Sequence, residues 1–160
     1  MRFFPLLMLL LAVSCNSQSS PQSPSPAYTF YTVDRVVDGD TFWLNDGYKE
    51  GFKVRLIGID APESRNTGHK TIQPYGAEAK QYLKQRLSGQ KVRLEYDVTR
   101  KDRYGRTLAY AYLSDGTFLN AEMMKEGYAT TLTIPPNVKH ADLFVKLQQQ
   151  ARKQRRGLWK

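Results

Sequence analysis

Four acidic residues, Asp38, Asp40, Asp60 and Glu63, stand at the ends of two apolar runs, and an arginine, Arg55, lies inside the second run. The runs cover residues 41–44 and 52–59, each of strand length, and Asn45-Asp46-Gly47 between them is turn chemistry. Paired through that turn as antiparallel neighbours, they set the start of the first strand beside the end of the second, which brings Asp40 near Asp60. Two carboxylates at one sheet edge make a site for a hard divalent cation, calcium first and magnesium second. Zinc prefers His and Cys ligands, of which the chain has two and one. Carboxylates this close repel one another unless a cation or a guanidinium offsets them, and Arg55 can supply part of that offset. Taken singly, each piece also reads as ordinary loop punctuation, D-G-D-T as a turn and D-A-P-E as a strand stop followed by a helix-style cap.

A second arginine, Arg106, follows Gly105 at the foot of a further strand. Two planar guanidinium forks could hold one phosphate between them, which lysines could not do with the same geometry. In-line cleavage of a phosphodiester needs positive groups where charge builds on the phosphorus oxygens, together with a nucleophile. The acids and the two arginines offer both.

The elements that must position these groups follow from pattern. Residues 28–37 alternate through Phe30, Thr32 and the Val36-Val37 pair, giving a first strand and, with the two above, a three-strand meander. Residues 60–74 are polar with Gly and Pro at intervals and read as a loop over the metal site, with His69 in it solvated. Residues 75–87 set Tyr75, Ala79, Tyr82, Leu83 and Leu87 at helical spacing, ended by Ser88-Gly89. Residues 91–98 alternate as a half-buried strand, 100–106 form a charged turn, and 107–113 return as a strand. A short helix over 118–126 turns Leu119, Met123 and Met124 inward, and residues 128–136 run extended into Pro135-Pro136. The last helix starts at Asn137 or a neighbour, with a stripe of Ala141, Phe144, Val145, Leu147 and Ala151, and Trp159 docks on the barrel. The basic end of that helix, Arg152, Lys153, Arg155 and Arg156, could touch nucleic acid, but more simply it complements the helix dipole as a solvated charge run. The class is α+β, mainly β: a five-stranded Greek-key barrel of the oligonucleotide-binding (OB-fold) kind with three helices.

Length and composition bound the rest. A chain of 160 residues has room for one domain and can bury one core unaided. Its formal charge of +9 favours an anionic partner, nucleic acid above all, although such charge also serves plain solubility. Residues 1–14 carry one charge, Arg2, ahead of an apolar run too short to span a bilayer, and read as a secretory signal. Ala12-Val13-Ser14 before Cys15 permits cleavage after small residues or lipidation of Cys15, and lipidation is favoured because residues 16–27, rich in Ser, Pro and Gln, suit a tether. The lipoprotein pattern is imperfect: Ala12 stands where Leu is usual. With Cys15 its only cysteine, the folded domain over 28–160 has no internal disulfide.

The segments V-D-G-D-T, V-R-L-I-G-I-D-A-P-E and D-R-Y-G-R-T-L-A-Y, in that order, resemble the staphylococcal nuclease (thermonuclease) family, and the likeness runs over about residues 28–159. The resemblance implies the same barrel and a calcium-dependent, sugar-non-specific nuclease that acts on DNA and RNA and leaves 5′-hydroxyl and 3′-phosphate ends. It implies Asp40, Asp60 and the main-chain carbonyl of Ala61 as metal ligands, with Asp38 supporting that shell indirectly. Glu63 is implied as the group that positions or deprotonates the attacking water, and Arg55 and Arg106 as the phosphate grip. Asp102, Arg103 and Tyr104 match a turn that holds a terminal phosphate and stacks near a sugar or base, with Arg103 where Lys is common. Residues 128–136 depart from the family, which presents stacking tyrosines where Thr133, Ile134 and Pro135 stand here, so base preference is left open.

Two other classes compete. A barrel that binds nucleic acid without cutting it would need only a basic groove and stacking aromatics, not paired carboxylates and a base. A lipid-tethered adaptor on anionic surfaces would need a long basic tail or an amphipathic membrane helix. Nothing in the chain demands a protein partner or more than a monomer.

Overall fold

The computed structural model describes residues 28–48, 50–68 and 71–160. The signal segment, the tether with Cys15 and the loop residue His69 lie outside the described residues. Five strands close into a barrel: β1 (Phe30–Asp38), β2 (Thr41–Asn45), β3 (Phe52–Leu56), β5 (Lys91–Glu95) and β6 (Thr107–Leu113), in the spatial order β1-β2-β3-β6-β5, with β5 returning to β1. All pairings are antiparallel except β3 with β6. Two short strands outside the barrel, β4 (Gly58–Asp60) and β7 (Thr130–Leu132), pair antiparallel with each other. Three helices complete the fold, α1 (Gly76–Leu87), α2 (Leu119–Lys125) and α3 (Ala141–Lys153), followed by a 3-10 turn at Gly157–Trp159. Among the described residues no helix is long and apolar enough to cross a membrane.

The strands turn alternate side chains into the barrel, while Thr41, Arg55 and Tyr110 are also buried, between the inward positions. Phe42 and Leu44 on β2, Val54 and Leu56 on β3 and Ala109, Ala111 and Leu113 on β6 are buried, which turns Trp43, Lys53, Arg55, Arg106 and Leu108 toward the outer face. Ala79, Leu83 and Leu87 of α1 and Leu119, Met123 and Met124 of α2 close the core from the sides.

Five expectations need correction. The apolar run over 52–59 is not one strand: it breaks at Ile57, and the chain leaves the barrel as β4. Gly58 makes the break possible, since its φ is +80° and a Cβ there would lie 2.4 Å from the Phe144 ring. Strand β5 ends at Glu95, and Asp97 beyond it accepts bonds from the Tyr110 hydroxyl and the Lys139 amide instead of extending the ladder. The last helix starts at Ala141, not at Asn137, because Asn137 is engaged elsewhere: its side chain bonds both the amide and the carbonyl of Thr99, each at 2.8 Å. Within that helix Phe144 and Ala151, two turns apart, face inward, whereas Val145 lies about 100° round from Phe144 and is exposed. Trp159 packs under the Arg152 guanidinium, 4.2 Å from the ring centroid, and its neighbour Leu158 bonds Gly127 after α2, so this tail docks beside the helices.

Candidate active site

The break after β3 builds the site. Leu56 donates its amide to the Asp40 carbonyl, and Thr41 faces Arg55 across the β2–β3 ladder, so Arg55 starts directly beside the Asp38–Asp40 turn. Ile57 is held at the bend from two sides, its amide bonding the Ala109 carbonyl at 3.0 Å and its carbonyl accepting Asn120 Nδ2 at 2.9 Å. Asn120 is completely buried, and its Oδ1 accepts the Ala111 amide at 3.0 Å. The chain then folds back far enough that Arg55 reaches the end of β4.

There Arg55 is almost fully committed. Its Nη1 donates to the carbonyls of Leu56 at 2.6 Å and Ile59 at 2.7 Å, and its Nη2 donates to Asp60 Oδ1 at 2.8 Å and lies 3.2 Å from Asp40 Oδ2. Asp40 is buried and further satisfied: Oδ1 accepts the Thr41 hydroxyl at 2.8 Å and Oδ2 the Ala61 amide at 2.9 Å. The two carboxylates thus converge on one positive centre. They meet because the chain bends at residues 57–58 to reach Arg55, not because β2 and β3 pair along the whole of 52–59.

The donor set can be weighed against a metal ion. Asp40 and Asp60 offer hard carboxylate oxygens already close enough to share one nitrogen, and the Asp60 side chain is 51 % exposed, so solvent reaches it. No group of three or more His, Cys, Asp or Glu able to hold a metal occurs among the described residues. A cation here would therefore have two carboxylates, with main-chain and water oxygens completing the shell. That fits calcium or magnesium and not zinc.

On the other side of Arg55 lies a cavity of about 480 Å³. Arg55, Arg106, Arg103 and Tyr104 line it, facing an aliphatic wall of Leu132, Ile134 and Pro135. Asp102 shapes the turn that carries three of these: its Oδ1 accepts the amides of Tyr104 and Arg106, and its Oδ2 accepts Arg106 Nε at 2.6 Å. Burial works to raise the Asp102 carboxyl, but the Arg106 guanidinium and the two amides outweigh it and hold its pKa below the ordinary value. Arg106, its Nε occupied by Asp102, is one of the residues lining the cavity. Arg103 donates to the Tyr104 hydroxyl at 2.6 Å, and both Arg103 and Arg106 lie over the Tyr104 ring. The arginine pair and the turn residues are thereby brought to one wall, with Thr133 absent from the lining and Pro135 present in it.

Glu63 does not line this cavity. It lies three residues past Asp60 on a segment pinned at both ends, with its amide bonding Gln73 Oε1 and its carbonyl accepting the Gln73 amide, each at 3.0 Å. The next residue, Ser64, donates its hydroxyl and its amide to Asp38 Oδ1, which ties this segment to the end of β1. Gly76 lets the start of α1 press against this segment, since a Cβ there would stand 2.1 Å from the Glu63 carbonyl oxygen.

Sequence reasoning missed Gln73, Asn120 and Asn137, three amides that hold main chain on which the site depends. Only Asn120 carried a signal, as a polar residue three and four positions before the inward Met123 and Met124. The basic helix end does serve structure: Arg156 pairs with Glu126 at 2.7 Å and Arg152 covers Trp159.

Residues 53–160 match the family model described as staphylococcal nuclease homologue. The chain is 45 % identical over 130 residues to a thermonuclease of Staphylococcus intermedius, spanning 81 % of this chain and 75 % of that protein. It is 44 % identical, with the same coverage, to a thermonuclease of Staphylococcus hyicus, and 36 % identical over 131 residues to endonuclease YncB of Bacillus subtilis, covering 80 % of this chain and 60 % of that one. With its closed five-stranded barrel, three helices and a match over most of its length, the chain belongs to the staphylococcal nuclease family.

Proposed function

We propose that this chain is a calcium-dependent, sugar-non-specific nuclease that hydrolyses phosphodiester bonds of DNA and RNA and leaves 5′-hydroxyl and 3′-phosphate ends. That it is a phosphodiester hydrolase follows from its family, whose relatives carry the names thermonuclease and endonuclease. The observation that carries the finer reading is the place of Arg55: its guanidinium joins Asp40 and Asp60, and the residue lines, with Arg106, the 480 Å³ cavity.

In this reading the scissile phosphate lies between the two guanidinium groups. Arg55, fixed by two carbonyls and two carboxylates, contributes preorganised positive charge, and Arg106 adds a second guanidinium held by Asp102, so the charge that develops on the phosphorus oxygens meets positive groups already in place. Asp40, Asp60 and the carbonyl of Ala61 would hold a calcium ion, which when bound supplies further positive charge beside the phosphate. Glu63 takes a proton from the attacking water as that oxygen bonds phosphorus; the P–O5′ bond breaks opposite it, and the departing 5′ oxygen takes a proton from solvent, leaving a 3′-phosphate and a 5′-hydroxyl. Arg103 and Tyr104 hold the neighbouring nucleotide on the cavity wall. Incubating the protein with single-stranded DNA and with RNA in calcium, magnesium or chelator tests this. Cutting of both polymers in calcium alone, with 5′-hydroxyl products, supports it, and binding without cutting in every condition replaces it with the non-catalytic binding barrel.

The sequence supports a matching location: export, with Cys15 lipidated and residues 16–27 as the tether, for a monomeric domain over 28–160. Metabolic labelling with palmitate, lost in a Cys15→Ala variant, tests the anchor.

A further inference from the structure

We propose that Arg35, Trp43 and Lys53 form a binding track that continues from Arg106 across the outer face of the barrel and holds nucleotides of a single strand beyond the scissile one; this rests on the nuclease reading above. The track is written into the ladder register. Arg35 on β1 faces Trp43 on β2, and Trp43 faces Lys53 on β3. The parallel β3–β6 register opens with Val54 beside Thr107, so Lys53 and Arg106 each stand one residue ahead of that pair. One transverse row therefore reads Arg106, Lys53, Trp43, Arg35. Because Val54, Phe42 and Leu44 point into the core, this row shares the outer face with Arg55, which lies two residues along β3 from Lys53.

The side chains are arranged for an anionic, base-bearing polymer. Arg35 lies 4.5 Å and Lys53 5.2 Å from the Trp43 ring centroid, so two cations pack on one indole. Arg35 also pairs with Asp34, and Arg106 with Asp102. Lys53, between Arg106 and Trp43, has no carboxylate partner among the described residues, so its charge is available to a phosphate. At the far end of the row Tyr104 lies under Arg106, giving an aromatic ring at either side of the central cations. Strands are spaced by about 4.8 Å, so the three steps from Arg106 to Arg35 span about 14 Å, enough to engage more than the nucleotide being cut. Alternating cations and aromatic faces are what sequence-tolerant recognition of single strands requires.

The test compares a long single-stranded oligonucleotide with a dinucleotide as substrates of the full chain, in Lys53→Ala, Trp43→Ala and Lys53→Arg variants. The ratio of kcat/KM for long over short substrate falls about tenfold in the first two, through KM, and Lys53→Arg restores it. The salt dependence of oligonucleotide binding becomes shallower in Lys53→Ala, by about 0.7 in the log–log slope for one lost phosphate contact on a single strand. An unchanged ratio, or an equal loss on both substrates, overturns the track. If the unaltered protein cuts neither substrate, the nuclease reading fails by itself. The track is then decided by fluorescence-anisotropy binding of the oligonucleotide, which Lys53→Ala must still weaken.

Discussion

Replacing Asn120 by alanine removes the side chain that holds the bend feeding the site. Asn120 is fully buried and makes two hydrogen bonds, accepting the Ala111 amide at 3.0 Å and donating to the Ile57 carbonyl at 2.9 Å. In the alanine variant both main-chain groups stay buried without that partner. Each such group costs about 1–3 kcal/mol, so the variant should lose about 2–6 kcal/mol, a large share of the ~5–15 kcal/mol that domains possess. Urea unfolding followed by fluorescence measures this as a lower midpoint at unchanged slope. Asn120→Asp keeps an acceptor for Ala111 but places oxygen against the Ile57 carbonyl, so it should not recover the loss. A midpoint shift worth less than ~0.5 kcal/mol for Asn120→Ala would refute the claim that this amide holds Ile57 in place.

Three further outcomes follow from the same geometry. Gly58→Ala combines a positive φ with a Cβ 2.4 Å from the Phe144 ring, so it should destabilise by about 2 kcal/mol or more in the same unfolding assay. Asp102 has a folded pKa below its ordinary 3.8, so its stabilising contribution is complete above that value and is lost as pH falls through the lower folded one; Asp102→Asn should start less stable near neutrality and show a flatter acid limb in thermal melts. Asp97, also lowered, shares that limb, which Asp102→Asn therefore reduces and does not abolish. With two carboxylates, calcium should half-saturate activity at about 10⁻⁴–10⁻³ M, read from a calcium titration of cleavage, and Asp60→Asn should move it higher.

The barrel was legible because the alternation read over residues 28–37 and 91–98 has one physical cause, a side chain turned inward every second residue, and the helices because Ala79, Leu83 and Leu87 recur at helical spacing. The break at Ile57 was not, since V-R-L-I-G-I-D reads as one apolar run. Its trace was Gly58, an isolated glycine in a strand pattern, which marks a bend or a close backbone approach. Residue types announced the acids and arginines of the site, and the fold gathers Asp40, Arg55 and Asp60 by contact and Arg55 and Arg106 around one cavity. What positions them was hidden for a different reason. Gln73 and Asn137 act on backbone 10 and 38 residues away, and an amide bonding distant main chain leaves no period in the sequence; Asn120, acting 63 residues away, left only its place on the face of Met123 and Met124. Val145 shows the converse: apolar type alone did not bury it, because its angular position on α3 faces water.

The most direct measurement of the account is single-turnover cleavage of single-stranded DNA by Glu63→Gln in saturating calcium, alongside the oligonucleotide Kd of the same variant. The account predicts a rate lower by about 10²–10⁴, the usual worth of a general base, with Kd unchanged because the arginine wall is intact. A rate within a few-fold of the unaltered protein would contradict the role given to Glu63 and, with it, the proposed chemistry of the site.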